Sequence, residues 1–424
     1  MASPDILTGI IAAVVLSASP TRLVLLVCTA QVLAQIGAYT WPALLPGMMP
    51  LWKLTYSEAG WITGVFYAAY TLSVPVLVTL TDRIDAKIVY LCGVALTIVG
   101  HLVFATFVDG FWGAILARGL AGIGWAGTYM TGLKLLADRV DDHLLSRAAA
   151  GHAAGVGIAG ALSFVFADLL QNSFGWSAAF AVAAGCAALA WLLIAICAPS
   201  RTGHPQATTK GVSLFDFRPV FRNRSAMAYA LAYCFHTWEM NALRGWGVVF
   251  LAYVAVQSGD GGGWMAPTVV VTVMALMGTV ASFAGNEASI RFGRRRLICF
   301  AMAGSILVGA TIGFVGPLSY TIAVMLVLVY GIFIWLDSAS LTAGTAGSAD
   351  PARRGATLAV HSMLGYTGGF IGPLAIGWTL DLAGGMSSMA WGLAFSMVAG
   401  IVVLSLAAFL VLRPSELAGD QNTR

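Results

Sequence analysis

Asp82-Arg83-Ile84-Asp85-Ala86-Lys87 stands between two long apolar runs, and Ile290-Arg291-Phe292-Gly293-Arg294-Arg295 stands between two more. The two stretches begin 208 residues apart in a chain of 424, so each takes the same place in its own half. A second echo lies farther along each half. Gly155, Gly157 and Gly160 precede Asp168, while Gly368, Gly369 and Gly372 precede Asp381. Charged loops and glycine runs that return at half the chain length point to two parallel halves, each built of inverted three-helix repeats.

Outward from these loops the chain is a succession of apolar runs. A membrane-spanning helix needs about 20 mostly apolar residues. Twelve runs meet that length, near 23–48, 58–80, 88–107, 112–137, 148–170, 176–197, 226–255, 265–288, 297–315, 320–345, 356–380 and 389–411. Hydrophobic residues make up 59% of the chain and charged ones only 9%, against about a quarter in a soluble domain. No soluble fold has interior enough for that much apolar surface. The composition therefore excludes a soluble enzyme, a disordered chain and a nucleic-acid-binding protein. The six cysteines lie scattered in apolar runs with no Cys-x-x-Cys pair, so neither a metal site nor a disulfide framework is expected. Residues 6–17 are apolar but lack a basic flank, and are read as a short interfacial segment rather than a secretory signal.

The basic residues orient the spans. With the N-terminus inside, 18 of the 22 Lys and Arg fall on the cytoplasmic side and only Lys53 on the outer side. The remaining three, Arg118, Lys134 and Arg244, fall within spans. This asymmetry predicts an even number of spans with both termini cytoplasmic. The expected division is a cytoplasmic segment 1–22, a six-helix bundle 23–197, a basic linker 198–225, a second bundle 226–411 and a tail 412–424.

At the repeated loops the chain resembles the major facilitator superfamily. That family's signature between spans 2 and 3 is G-x-x-x-D-R-x-G-R-K/R, and Asp82, Arg83 and Lys87 match it. Val78 and Asp85 replace its glycines and Ala86 a basic residue. The second copy keeps Arg291, Gly293, Arg294 and Arg295, but Ile290 replaces the acid. Glu287, four residues before Arg291, is the candidate substitute. Arg118-Gly119-Leu120-Ala121-Gly122-Ile123-Gly124 is similar to the family's R-x-x-x-G-x-G pattern in span 4. The resemblance implies an all-α fold of twelve transmembrane helices in two pseudo-symmetric six-helix bundles. It also implies a gating role for the loop charges and substrate binding or proton coupling for Arg118. Span 5 lacks the Gly-Pro of the antiporter signature, and Gly372-Pro373 of span 11 carries that pair instead.

Ionisable groups inside a bilayer are costly, which makes them functional candidates. Span 7 concentrates them: His236, Trp238, Glu239, Asn241, Arg244 and Trp246 lie within eleven residues. His236 and Glu239, three apart, share a helix face. Glu239 and Arg244, five apart, do not. Glu239 is the candidate proton-titrating carboxylate and Arg244 the anion anchor, with Trp238 and Trp246 as aromatic walls. Gly245 and Gly247 suggest a broken helix here. The bland alternative is an internal Glu–Arg or Glu–His lock. Asp337, deep in span 10, is read as a coupling residue or as the ion-pair partner of Arg118 or Lys134. Gln31, Gln35 and Tyr39 form a polar stripe spaced by four in span 1. Lys134 lies close enough to the inner end of span 4 to snorkel. His101, His152 and His361 are read chiefly as packing residues.

The expected function is secondary active transport of a small polar or anionic organic solute by alternating access, coupled to protons. The setting is an inner or plasma membrane, and the protein is taken as a monomer with no cofactor and no enzyme chemistry. The alternatives are a multidrug or metabolite exporter driven by proton antiport, and a non-transporting sensor or assembly factor on the same fold.

Overall fold

The structure, a computed structural model, describes residues 20–81, 83–200, 217–259, 264–417 and 420. The apolar stretch 6–17, most of the linker and Asp82 lie outside the described residues. Every regular element among them is helical: α1 (Pro20–Gln35), α2 (Thr40–Trp52), α3 (Tyr56–Leu80), α4 (Ala86–Phe107), α5 (Phe111–Ala126), α6 (Tyr129–Ala137), α7 (Asp142–Phe174), α8 (Trp176–Cys197), α9 (Arg218–Arg222), α10 (Arg224–Gln257), α11 (Pro267–Phe292), α12 (Arg294–Val315), α13 (Tyr320–Leu336), α14 (Ser338–Gly347), α15 (Arg354–Leu382) and α16 (Ser388–Leu412), with short 3-10 turns at Gly316–Leu318 and Pro351–Arg353.

Each of the twelve predicted runs falls on helix. Nine helical stretches among the described residues are long and apolar enough to cross a membrane. The other three runs coincide with α5–α6, α10 and α15. The first is cut into two short helices. The other two carry His, Glu, Asn and Arg, or a glycine run, where lipid-facing helices carry aliphatics. Twelve spans are consistent with this pattern.

Three runs are interrupted, at 36–39, 127–128 and 337. An interruption at membrane depth exposes backbone carbonyls that must find donors. The first does so: Arg118 donates to the Ala38 carbonyl at 3.1 Å. The break expected at Gly245 and Gly247 is absent, because α10 runs unbroken through both. Those glycines serve close approach instead. A Cβ at Gly245 would meet Thr63 and Pro373 at 3.2 and 3.3 Å, and one at Gly247 would meet Val271 at 3.4 Å. The Gln31–Gln35–Tyr39 stripe is likewise broken, since α1 ends at Gln35 and Tyr39 lies in the turn that follows.

Contacts divide the chain into two compact units. The first takes the described parts of Met1–Thr40, Leu72–Val108 and Leu116–Val212. Its core joins Leu23 and Val27 of α1, Tyr90 and Val94 of α4, Leu135 and Leu136 of α6, and Ala187 and Ile194 of α8. The second takes Trp41–Thr71, Asp109–Ile115 and the described parts of Ser213–Arg424. One of its core clusters joins Tyr229 of α10, Ile298 and Met302 of α12, Leu341 of α14, and Val402 and Phe409 of α16.

Within the second unit the first part of α3 packs on α10 and α15. Asp381, near the end of α15, accepts from the backbone N–H of Tyr56 (3.1 Å) and Ser57 (2.7 Å) and from the Ser57 hydroxyl. It thereby satisfies orphan donors at the start of α3. A Cβ at Gly60 would meet the Pro373 carbonyl at 2.8 Å, and Tyr70 lies 3.8 Å from Tyr366 between ring centroids. Glycine also sets the spacing of α11 and α13, where a Cβ at Gly285 would collide with the Leu336 carbonyl. Gly285→Ala should cost about 1–3 kcal/mol, the usual range for overpacking a tight contact. The check is the midpoint of thermal unfolding in detergent. An unchanged midpoint would mean the two helices separate without penalty.

Candidate substrate and coupling sites

The loop between α3 and α4 belongs to the first unit. Asp85 begins α4 and accepts from the Lys87 backbone N–H at 3.0 Å. Its carboxylate also receives the Arg139 guanidinium at 2.6 Å. Arg139 Nε donates to the Pro199 carbonyl at 2.9 Å. Lys87 Nζ donates to the Ala195 and Ala198 carbonyls at 2.9 and 2.6 Å, which are orphan acceptors at the end of α8, where positive charge is favoured. Arg83 is exposed. The loop charges thus tie α4, α6 and α8 together at one end of this unit. Asp85, read from the sequence only as a replaced glycine, is the acid that does so.

Farther along the same unit, Arg118 is 2% exposed and holds the carbonyl freed by the break in span 1. Tyr39 donates its backbone N–H to Ser163 at 3.0 Å and stacks on Phe164. Gln31 and Gln35 are buried, and among the described residues neither side-chain nitrogen finds a hydrogen-bond partner. The Tyr90 hydroxyl lies 3.5 Å from Gln31 Oε1. Lys134 pairs with Asp138 one turn on. His152 bonds the Tyr129 carbonyl at 2.9 Å.

The second unit holds the polar cluster of span 7. Glu239 is 3% exposed. One of its oxygens accepts the Tyr330 hydroxyl at 2.7 Å and also the Ser305 hydroxyl. His236 Nδ1 lies 3.0 Å from Asp337 Oδ1, with both side chains buried. Asp337 stands at the junction of α13 and α14, where the interrupted helix places its carboxylate against α10. Within the second unit the partner of Asp337 is this histidine. The Arg244 guanidinium covers the Trp335 ring at 4.7 Å, a cation–π contact. Tyr233 stacks on His361 at 4.0 Å and on His236 at 5.6 Å between ring centroids. His361 bonds the Thr342 and Thr345 hydroxyls, as a packing residue does. Trp246 donates to the Pro373 carbonyl at 2.8 Å. Trp238 is half-buried, with its carbonyl at the point where a Cβ on Gly372 would fall. His236 Nε2 and Asn241 Oδ1 are buried and, among the described residues, have no hydrogen-bond partner.

The structure brings His236 and Asp337 together and sets Glu239 among neutral hydroxyls, apart from Arg244. Ser305 and Tyr330 escaped the sequence reading. Their only signal there is a hydroxyl in an otherwise apolar span, which packing also explains.

At the junction of α11 and α12, Gly293 has φ +98°, a left-handed conformation that glycine adopts without strain. Glu287 pairs with Arg291 at 2.8 Å in an exposed bridge. Arg294 is 2% exposed and pairs with Asp420 at 2.9 Å. The Arg295 backbone N–H donates to Glu416 at 3.1 Å.

Comparison with known proteins agrees with this architecture. The Major Facilitator Superfamily model matches residues 27–336. Human protein spinster homolog 1 is 26% identical over 255 residues, 57% of this chain and 48% of that protein. The chain thus spans about half the length of that curated relative. Among solved structures, the nucleoside transporter NupG superposes with a TM-score of 0.73 at 15% identity, over 93% of this chain and 100% of that one. A bacterial homolog of the human lysosomal transporter Spinster, inward-facing and occupied, gives 0.70 at 14%, over 94% and 98%. At these identities the structural likeness concerns the fold.

Proposed function

We infer, on the premise that this chain belongs to the Major Facilitator Superfamily, that it moves a small polar or anionic organic solute across a membrane by alternating access, coupled to protons. The observation that carries this reading is the buried cluster of Glu239, His236 and Asp337. Three ionisable side chains at membrane depth cost more than packing requires. Two of them face each other, and the third is held by neutral hydroxyls in a place where a proton can neutralise it.

Solute recognition rests on different atoms. Nε2 of His236 and Oδ1 of Asn241, both in the second unit, are buried polar groups with unmet capacity. Such groups require explanation, and a polar solute supplies one. Arg244, in the same unit, adds positive charge for an anionic group. The close packing of the first part of α3 on α10 and α15 is read as the closed outer end of the pathway. The 18-to-1 bias of basic residues supports cytoplasmic termini and an inner or plasma membrane.

A second reading has its own support. Tyr67, Tyr70, Trp61, Tyr366 and Phe370 cluster within the second unit, and aromatic faces suit a planar heterocyclic solute. Nucleosides are therefore among the first probes.

The test is a thermal-shift screen of the purified protein with organic acids, amino acids, sugars, nucleosides and lipophilic cations. A ligand present at about 100 times its Kd stabilises by about 2.7 kcal/mol. Polar or anionic hits support the reading. Shifts confined to lipophilic cations would replace it with the exporter alternative.

A further inference from the structure

The second-half loop lacks the acid of its first-half counterpart, since Ile290 stands where Asp82 stands in the first. Glu287 does not fill the gap at Arg294, because it is engaged with Arg291 at the surface. The carboxylates come instead from the segment after α16. Asp420 receives Arg294 Nε and Nη2 at 3.1 and 2.9 Å, a two-pronged pairing. Glu416 accepts the backbone N–H groups of Arg294 and Arg295 at 2.9 and 3.1 Å. It thus caps the first turn of α12, where orphan donors and the helix dipole favour an anion. Ser415 closes the attachment. Its carbonyl accepts the Tyr229 hydroxyl at 2.9 Å, and its N–H donates to Ser225 at 3.0 Å. Leu417 lies 2.7 Å from where a Cβ on Gly347 would stand.

Arg294 carries this attachment inward. Its Nη1 also donates to Asn286 at 3.0 Å and to the Ser340 carbonyl at 3.2 Å. Ser340 is in the first turn of α14, three residues after Asp337. The same helix start that holds Asp337 against His236 is therefore gripped by the arginine that the tail neutralises.

We propose that Glu416 and Asp420 are positioning residues of the transport cycle. The tail is a latch, fastened on Arg294 and Arg295 while the first part of α3 is closed on α10 and α15, and unfastened when that end opens. Beside the packing of Leu417 on Gly347, the attachment is made by ion pairs and hydrogen bonds. A buried ion pair contributes little net stability compared with apolar packing, and its best-attested use is as a switch or register device. The inference rests on the transport reading given above.

The test uses the full chain with its six native cysteines replaced by alanine and the pair Gly347→Cys and Leu417→Cys introduced. Oxidation locks the tail and reduction frees it in the same sample. Hydrogen exchange is read at residues 56–67, the far end of the second unit. The expected result is that oxidation slows opening there by at least about tenfold, as for any local opening whose free energy is raised, and that reduction restores it. Asp420→Asn is expected to quicken exchange at 56–67, with Asp420→Glu returning it to the parent rate. A fixed brace predicts otherwise: equal exchange at 56–67 in both redox forms, whatever happens to thermal stability, and that outcome overturns the latch. Should Asp420→Asn fail to fold, the redox pair alone decides. The readout needs no solute. A latch that responds in a protein that moves nothing in proteoliposomes would refute the transport reading and with it the role in a transport cycle, leaving only the coupling of the tail to residues 56–67.

Discussion

Replacing Glu239 by glutamine is expected to abolish solute uptake driven by a proton gradient while leaving solute exchange across the membrane intact. The geometry keeps the two effects apart. Tyr330 and Ser305 both donate to one carboxylate oxygen of Glu239. Glutamine retains a carbonyl oxygen of the same reach, so both donors keep an acceptor. What disappears is the ability to exchange a proton. The structural cost is the difference between charged and neutral acceptors, about 1 kcal/mol. Net flux against a gradient needs a group that is protonated on one side and released on the other, whereas exchange does not. Counterflow and gradient-driven uptake in the same proteoliposomes make the measurement. Loss of both activities together with a large fall in thermal stability would mark Glu239 as a structural lock. Unchanged uptake would remove it from coupling altogether.

Arg244→Ala is the second large effect, and it separates anionic from neutral solutes. The guanidinium lies 4.7 Å over the Trp335 ring. Losing a hydrogen bond to a charged group costs about 1.5–3 kcal/mol, equivalent to a ten- to hundredfold loss of affinity. Anionic solutes should show that loss and neutral ones should not. The cation–π contact itself is worth about 0.5–2 kcal/mol, so a modest fall in unfolding midpoint is expected with or without ligand. Arg244→Lys should recover part of the affinity, since an ammonium keeps the charge but not the planar fork. Isothermal titration with matched anionic and neutral ligands reads the difference. An equal loss for both classes would make Arg244 a packing residue on Trp335.

The candidate site was legible in part, and the boundary follows the physics. Polar and charged residues stand out in apolar spans because each carries an energetic penalty that composition alone exposes. His236, Glu239, Arg244 and Asp337 therefore stood out as candidates. Their partners did not. Ser305 and Tyr330 cost little in a membrane helix and give no signal until Glu239 is seen between them. Helical periodicity correctly denied a Glu239–Arg244 pair, yet it could not supply Trp335 or Asp337, which lie on another helix. Glycine misled at Gly245 and Gly247. The same absence of a side chain permits a break or a close approach, and Thr63 and Pro373 decide for approach at Gly245.

The all-helical membrane character, the two-fold repeat and the family resemblance were determined by sequence alone. They rest on hydropathy, the period of the repeat and loop chemistry, which are local or summed properties of the chain. Tertiary structure alone decided where three runs break, which acid meets Arg139 and Arg294, and that Asp381 caps a helix 325 residues away. Each of these is a choice among polar groups of nearly equal chemistry. It is settled by which donors and acceptors the packed helices leave without water, and that depends on contacts between distant segments rather than on spacing along one.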